Sequence, residues 1–346
     1  MKYCCLLLLF LLHWADTRGS CANAPAGQVI QWGMDTGGLP GGEWPPRWGV
    51  FKVSIGGEPL TNAVAVAAGG FHSLALLADG TVFGWGGNIA GAAVGYETES
   101  PHRGNGLVKV AGKVLSNVTA LAAGRTHSLA LKSDGTVVAW GLNQMGETDV
   151  PAGLSNVMMI AAGETYSMAL KSDGTVSVWG NQARLPDGKV VSWGYPIHVP
   201  AGQSNAVAIS AMNRRSLALT RAGTVYSWSQ RSPDAGPVPG LTNIVAISAG
   251  GNQCLALDRS GKVFGWRAAD LRDVVVSAAL QNGQALNGVV AIAVGYDHNL
   301  ALKGNGSVIA WGNNSWHQTD VPPGLSNVVA IAAGQHFSLA IQRVTP

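Results

Sequence analysis

An all-β, seven-bladed β-propeller is the fold class that this sequence predicts, on three observations. One phrase recurs along the chain, each copy splits into short apolar runs parted by turn residues, and the last copy lacks an ending that the start of the chain supplies. The clearest copies read VTALAAGRTHSLALKSDGTVVAWG, Val118 to Gly141, and VMMIAAGETYSMALKSDGTVSVWG, Val157 to Gly180. An earlier copy runs from Val64 to Gly86, and degraded copies run from Val207 to Trp228, Val245 to Trp266 and Val290 to Gly312. The last, Val328 to Ile341, contains VAIAAGQHFSLAI and stops before its turn and WG strand, whereas GQVIQWG at Gly27 to Gly33 is such a strand with nothing before it. Six whole copies and one split copy make seven, so strand 27–33 is expected to complete the blade of 328–341 and to remove an exposed sheet edge.

Each copy yields three strands. AIAAG is short and rich in Ala, which suits the crowded axis of a propeller; SLALKS alternates; TVVAW is β-branched and ends in Trp. The Asp-Gly pair between the second and third strands favours a type I′ hairpin. A fourth, outer strand is expected in the stretch holding VPAGLSN before the next copy. The recurring Trp, at 32, 85, 140, 179, 228, 266 and 311, reads as a core plate packed between blades.

Two connections depart from the pattern, the inserts 34–62 and 87–117. The first holds GGEWPPRWGVF, Gly41 to Phe51, whose Trp44 and Trp48 form a candidate binding loop that could equally fold back over a sheet edge. PDGKVVSWG, Pro186 to Gly194, repeats the turn and third strand without an AAG strand, as a slipped duplication forming an extra outer strand or hairpin would.

The first residues read as a targeting segment. Lys2 precedes the apolar run CCLLLLFLL, and Ser20-Cys21-Ala22 offers a small-residue cleavage site, so residues 1–22 are expected to be a secretory signal and 23–346 a single propeller domain. Lipoprotein cleavage before Cys21 is the weaker alternative, because Arg18 sits where an apolar residue is wanted. The expected location is secreted, periplasmic or on the cell surface, with no membrane-spanning segment. Only 12% of the 346 residues are charged, and losing Lys2, Asp16 and Arg18 takes the net charge from +3 to +2. A nearly neutral chain without a basic block gives no footprint for nucleic acid. Cys254 is the one cysteine beyond the signal, so neither a disulfide framework nor a cysteine metal site is expected.

These repeats, AAGxxHSLAL then DGTVxxWG then GxT, resemble the RCC1 family over almost the whole of 23–346. The resemblance implies a seven-bladed propeller and a rigid binding scaffold. Eukaryotic members act on small GTPases, on chromatin or as light sensors, roles that fit poorly with a secretory signal. In style the repeats are also similar to the secreted bacterial β-lactamase inhibitor protein II, which binds enzymes with one propeller face. The expected function is therefore non-enzymatic protein binding by a monomer with no cofactor and an unidentified protein partner. The alternatives are inhibition of an extracellular enzyme such as a β-lactamase, or exchange-factor-like regulation if the chain is not exported. A propeller hydrolase or lyase is a further class, for which no motif is found.

Residues after AAG lie at one end of each blade and the SDG turns at the other. The triplets after AAG differ in every copy while their flanks barely change, which marks them as drifting turns or as a composite face. The candidates on that face are Phe71, His72, Arg125, His127, Tyr166, Arg214, Tyr296, Asp297, His336, Phe337 and, from WGNNSWHQT, Trp316. The histidine of the triplet recurs only as His72, His127 and His298, too diluted for a ring of metal ligands. His72-Ser73 and His127-Ser128 are strand neighbours on opposite faces and cannot act as base and nucleophile, so a structural histidine bonding nearby backbone is expected. No GxxxxGK[ST] or GxSxG is present, and the glycine pairs read as turns. Asn117, Asn305 and Asn313 open glycosylation sequons, which matter only in a eukaryotic host.

Overall fold

Seven Ala-rich strands line one central channel: Ala63–Ala68, Val118–Ala123, Val157–Ala162, Ala206–Met212, Ile244–Ala249, Val289–Val294 and Val328–Ala333. The computed structural model describes residues 26–34, 48–95, 104–184, 190–192, 205–229, 232–267, 276–281 and 284–344. Segment 1–22, Trp44 and part of the PDGKVVSWG stretch lie outside the described residues. Each inner strand pairs antiparallel with a middle strand, and each middle strand with a third. The channel encloses about 240 Å³, a bore that Ala side chains leave open.

The seventh blade takes its third strand from the start of the chain. Gly27–Met34 runs antiparallel to Phe337–Arg343, with Gly27 opposite Arg343 and Gly33 opposite Phe337. Val29, Ile30 and Trp32 are buried there. Seven apolar clusters fill the spaces between blades, and each contains one of the seven recurring Trp: Trp85, Trp140, Trp179, Trp228, Trp266, Trp311 and Trp32. The cluster around Trp85 joins the last blade, through Phe337, Leu339 and Ile341, to Ala75 and Phe83 of the first. Burial of a Trp or Phe of this kind stabilises by about 3–5 kcal/mol relative to Ala, so these plates are the main cohesive element between blades.

Every inner strand carries a bulge after its first residue, as between Val118 and Ala120 and between Val328 and Ala330. The residue before it adopts positive φ in Asn117 (59°), Asn156 (56°), Asn243 (56°) and Asn327 (52°). Asn tolerates this region because its short polar side chain bonds locally. The carbonyls of those asparagines accept the N–H groups of Ser133, Ser172, Arg259 and Arg343, which anchors each inner strand to the turn at its own foot. This corrects the expected outer strand: VPAGLSN forms a turn and a left-handed Asn. Outer strands come instead from the irregular connections, Gly104–Leu107, Ser232–Pro237, Ser277–Ala278 and, on the seventh blade, Trp48–Lys52. The loop bearing Trp48 therefore covers a sheet edge. The duplicated stretch contributes a hairpin of Gln182–Arg184 with Val190–Ser192.

The Asp-Gly turns are not type I′. Gly135 has φ of 79° but Asp134 does not enter the positive region; Gly135 N–H donates to Lys132 O and Lys132 N–H to Thr136 O, both at 2.9 Å. This is a type I turn followed by a glycine bulge. Asp134 Oδ1 caps it by accepting from the N–H and hydroxyl of Thr136 at 2.9 and 2.6 Å, which explains why the motif continues into Thr.

Candidate binding face at the AAG turns

The turn after AAG is a tight loop closed on itself. Gly124 N–H donates to His127 O, and Gly69, Gly163, Gly295 and Gly334 repeat the bond three residues on. The next N–H reaches the neighbouring blade: Gly70 to Gly124 O, Arg125 to Gly163 O, Glu164 to Asn213 O, Gly251 to Gly295 O, Tyr296 to Gly334 O and Gln335 to Gly69 O, at 2.7–3.3 Å. The last of these joins the seventh blade to the first. Glycine is needed for this approach, because a Cβ at Gly124 would stand 2.4 Å from the His127 ring and 2.7 Å from Gly163 O. The rim of the channel is thus held by backbone bonds that do not depend on the variable side chains.

In six of the seven blades the third residue of the triplet begins the middle strand, and where it is His or Tyr it reaches the next blade. His72 Nε2 lies 2.7 Å from Ser128 Oγ, His127 Nε2 3.0 Å from Ser167 Oγ, and His298 Nε2 3.0 Å from Ser338 Oγ. In the third blade Tyr166 takes the same place, 2.7 Å from both Ser216 Oγ and Arg215 O. The serines donate onward to the carbonyls of Ala92, Glu147 and Gln318. Trp140 and Trp179 indoles donate to the same Ala92 and Glu147 oxygens. Each lock therefore ties a histidine, the next blade's serine and the loop between them. Burial pulls the His72 and His298 pKa down to about 4 and His127 to about 3, the last also through repulsion from His72. His72, His127, Tyr166 and Phe337 are fully buried, which corrects their expected place on an exposed face. The backbone turn completes itself one residue earlier than a surface reading assumes. The expectation of a structural histidine holds: each meets a serine hydroxyl of the next blade, and His127 and His298 also meet the backbone of Tyr166 and Phe337.

The first two triplet residues do face outward, and the structure gathers them into two groups. On blades two to four, Glu164 is held by Arg125 and, at 2.9 Å, by Arg214 Nε. The Arg125 guanidinium also lies 6.0 Å over the half-buried Phe71 ring. On blades six and seven, the His336 ring lies 6.3 Å from Tyr296 and 5.9 Å from Trp316. Trp48, 58% exposed, stacks on His317 at 5.6 Å and 21°. His317 Nδ1 bonds Asp320 at 2.7 Å, which with Asn314 holds that carboxyl below its ordinary pKa. The Asp297 carboxylate accepts from the Asn252 amide. A cavity of about 120 Å³ opens between the groups at the channel mouth, lined by Gly69, Gly70, Arg125, Glu164, Asn213 and Tyr296 among others. Sequence reasoning passed over Glu164 and His317. Glu164 carried a usable signal, as the acid at the first triplet position between copies bearing Arg125 and Arg214.

Three comparisons bear on this arrangement. Residues 63–91, 118–147 and 289–318 match the family model described as Regulator of chromosome condensation (RCC1) repeat. The chain is 35% identical over 131 residues to the human probable E3 ubiquitin-protein ligase HERC6, covering 37% of this chain and 12% of that protein. It is 36% identical over 95 residues to protein pim1 of Schizosaccharomyces pombe, covering 27% and 17%, and 32% identical over 135 residues to the mitochondrial RCC1 domain-containing protein RUG3 of Arabidopsis thaliana, covering 37% and 29%. The matched stretch thus spans less than a third of each of these relatives. Among solved structures, human WBSCR16 superimposes with a TM-score of 0.70 at 17% identity, over 92% of this chain and all of that one. Prp20p of Saccharomyces cerevisiae, whose structure was described with its binding to Gsp1p and histones, superimposes with 0.67 at 17% identity over 93% of both chains. At such identity the likeness is one of fold.

Proposed function

We propose that this chain, an RCC1-repeat propeller, is a non-enzymatic scaffold that binds a protein partner through the face formed by the first two residues of each AAG turn. One observation carries the reading. In five of the seven turns the third residue, His72, His127, Tyr166, His298 or Phe337, is buried in the core or in the lock between blades, while the two before it stand on a backbone rim that does not need them and differ from copy to copy. A fixed rim loses little conformational entropy on binding. The aromatic and arginine side chains at its centre are the residue types that carry binding energy at interfaces. Prp20p, of the same fold, is described as binding Gsp1p and histones and was solved bound to Kap60, which supports protein as the class of partner. The apolar segment 4–12 supports export, so the partner is sought among extracytoplasmic proteins, extracellular enzymes included. No helix among the described residues is long and apolar enough to cross a membrane.

The test is a pull-down from extracytoplasmic extract with residues 23–346 and with a Phe71→Ala, Tyr296→Ala, Trp316→Ala triple variant, both checked for unchanged melting. A protein retained by the first and lost by the second is the expected result. Equal retention would move the site to another surface. N-terminal sequencing of the mature chain tests export, and an intact Met1 on cytoplasmic protein would restore the exchange-factor-like alternative.

A further inference from the structure

We infer that the channel mouth receives a single acidic side chain of the partner, seated on the exposed outer donors of Arg125 and Arg214 above Glu164. The inference rests on the protein-binding reading of this face and names the chemistry of its centre. Glu164 is the inner member of its cluster, its side chain 11% exposed, while Arg125 and Arg214 remain 51% and 50% exposed. Glu164 is shared between two guanidiniums, so within this three-residue cluster one positive charge is unmatched. Each guanidinium has five N–H donors and spends few of them on Glu164, which leaves donors free for a second carboxylate in bidentate geometry. The cavity beside Arg125 and Glu164 measures about 120 Å³, room of the order of one side chain.

The rest of the face orients such a ligand. Across the mouth, Asp297 on the sixth blade is tied to Asn252 and places negative charge on the far side. Tyr296 lines the cavity and is followed outward by His336 and Trp316. An acid approaching from the partner is therefore drawn to blades two to four and repelled from blade six, while apolar residues beside it meet the aromatic group. Electrostatic complementarity of this kind sets register and excludes partners of the wrong charge.

The test uses the full mature chain and a phage-displayed library of short random peptides, with enriched peptides synthesised and titrated. Enriched peptides should share an Asp or Glu at a fixed position. Their affinity should fall roughly tenfold in the Arg125→Gln, Arg214→Gln double variant, the scale of losing a paired charge at an interface. It should rise in Glu164→Gln, which frees both guanidiniums at nearly constant shape. A cluster that served only to brace the rim would lose binding in Glu164→Gln as well, and that result would overturn the inference. Peptides that need Tyr296 and Trp316 but share no acid, and ignore the Arg and Glu164 changes, would also overturn it while leaving the face intact. Failure to enrich any peptide that depends on this face would overturn both.

Discussion

Acidification from pH 7 to pH 5 should loosen the propeller at three defined seams. His72, His127 and His298 each sit between blades with Nε2 against a serine hydroxyl. Because each serine already donates its proton to a carbonyl, the imidazole must donate at Nε2. Its Nδ1 is then the basic nitrogen, and in all three residues it is buried without a partner. Protonation would place a charge and an unmatched N–H in the core. The folded pKa values, about 4, 3 and 4, lie below the 6.5 of a free histidine. Between those limits the unfolded chain binds more protons, so the stability is fully present above pH 6.5 and is lost as pH falls toward 4. From pH 7 to 5 each histidine accounts for about 1.8 kcal/mol, and the three together for roughly 5 kcal/mol. For a domain of this size that is about 7 °C in melting temperature. The capped aspartates do not confound the window. Asp79, Asp134 and Asp173 have pKa values lowered by their Thr partners, so their contribution disappears only below the ordinary carboxylate range. The assay is thermal melting at constant ionic strength, for the native chain and for His127→Tyr, which copies the lock that Tyr166 makes in the next blade. The variant should lose one histidine's share of the acid sensitivity, about 1.8 kcal/mol. A flat melting temperature between pH 7 and 5, or an undiminished slope in the variant, would refute the reasoning.

Four further predictions concern the buried polar groups and the split blade. Glu147 is buried with Oε1 unpaired, and burial raises its pKa, so Glu147→Gln should stabilise by about 1 kcal/mol at neutral pH, the gain vanishing in acid; Gln318 already fills the matching place in the sixth blade, and a destabilised variant would contradict the account. Ser167→Ala should cost about 1–3 kcal/mol in denaturant unfolding, because the bonds of its hydroxyl to His127 Nε2 and Glu147 O are both lost. Ser73→Ala should be nearly neutral, since Ser73 Oγ has no partner where Phe337 replaces the histidine, and equal costs for the two would refute the lock. Deleting residues 23–33 should cost at least about 5 kcal/mol, as Trp32, Ile30 and Val29 leave the core; an unchanged melting temperature would refute the split blade.

Much of the fold was legible because the repeat displays its own constraints. Ala at the axis, a Trp per blade and a strand at 27–33 that matches the unfinished copy each follow from packing that tolerates few residue types. What stayed hidden depends on parity. A bulge after Asn117 and its counterparts shifts the inner strand by one residue. Whether the third residue after AAG faces solvent or the next blade is set by such details rather than by hydropathy, since His, Tyr, Arg and Phe suit either place. The signal was present in the pairs His-Ser, Tyr-Ser, Arg-Ser and Phe-Ser: a long flat or extended residue beside a repeated serine is a donor and acceptor set that only a neighbouring copy can join. The outer strands were misplaced for another reason. The regular VPAGLSN stretch seemed the natural supplier, yet its left-handed Asn and its Pro-Gly turn leave it no extended run, and irregular inserts such as Trp48–Lys52 provide the strands. At the candidate face, exposed Arg125 and half-buried Tyr296 were found, but their grouping around Glu164 and His336 depends on which blades are neighbours.

The measurement that bears most directly on the central claim is a titration of the captured partner against three forms of the chain: native, the Phe71→Ala, Tyr296→Ala, Trp316→Ala variant of the AAG face, and a Lys132→Ala, Lys171→Ala variant of the opposite turns. The account predicts a loss of at least tenfold in affinity for the first variant, the scale of removing interface anchors, and no change for the second. Loss of binding in the second variant with the first unaffected would place the partner on the opposite face and contradict the account.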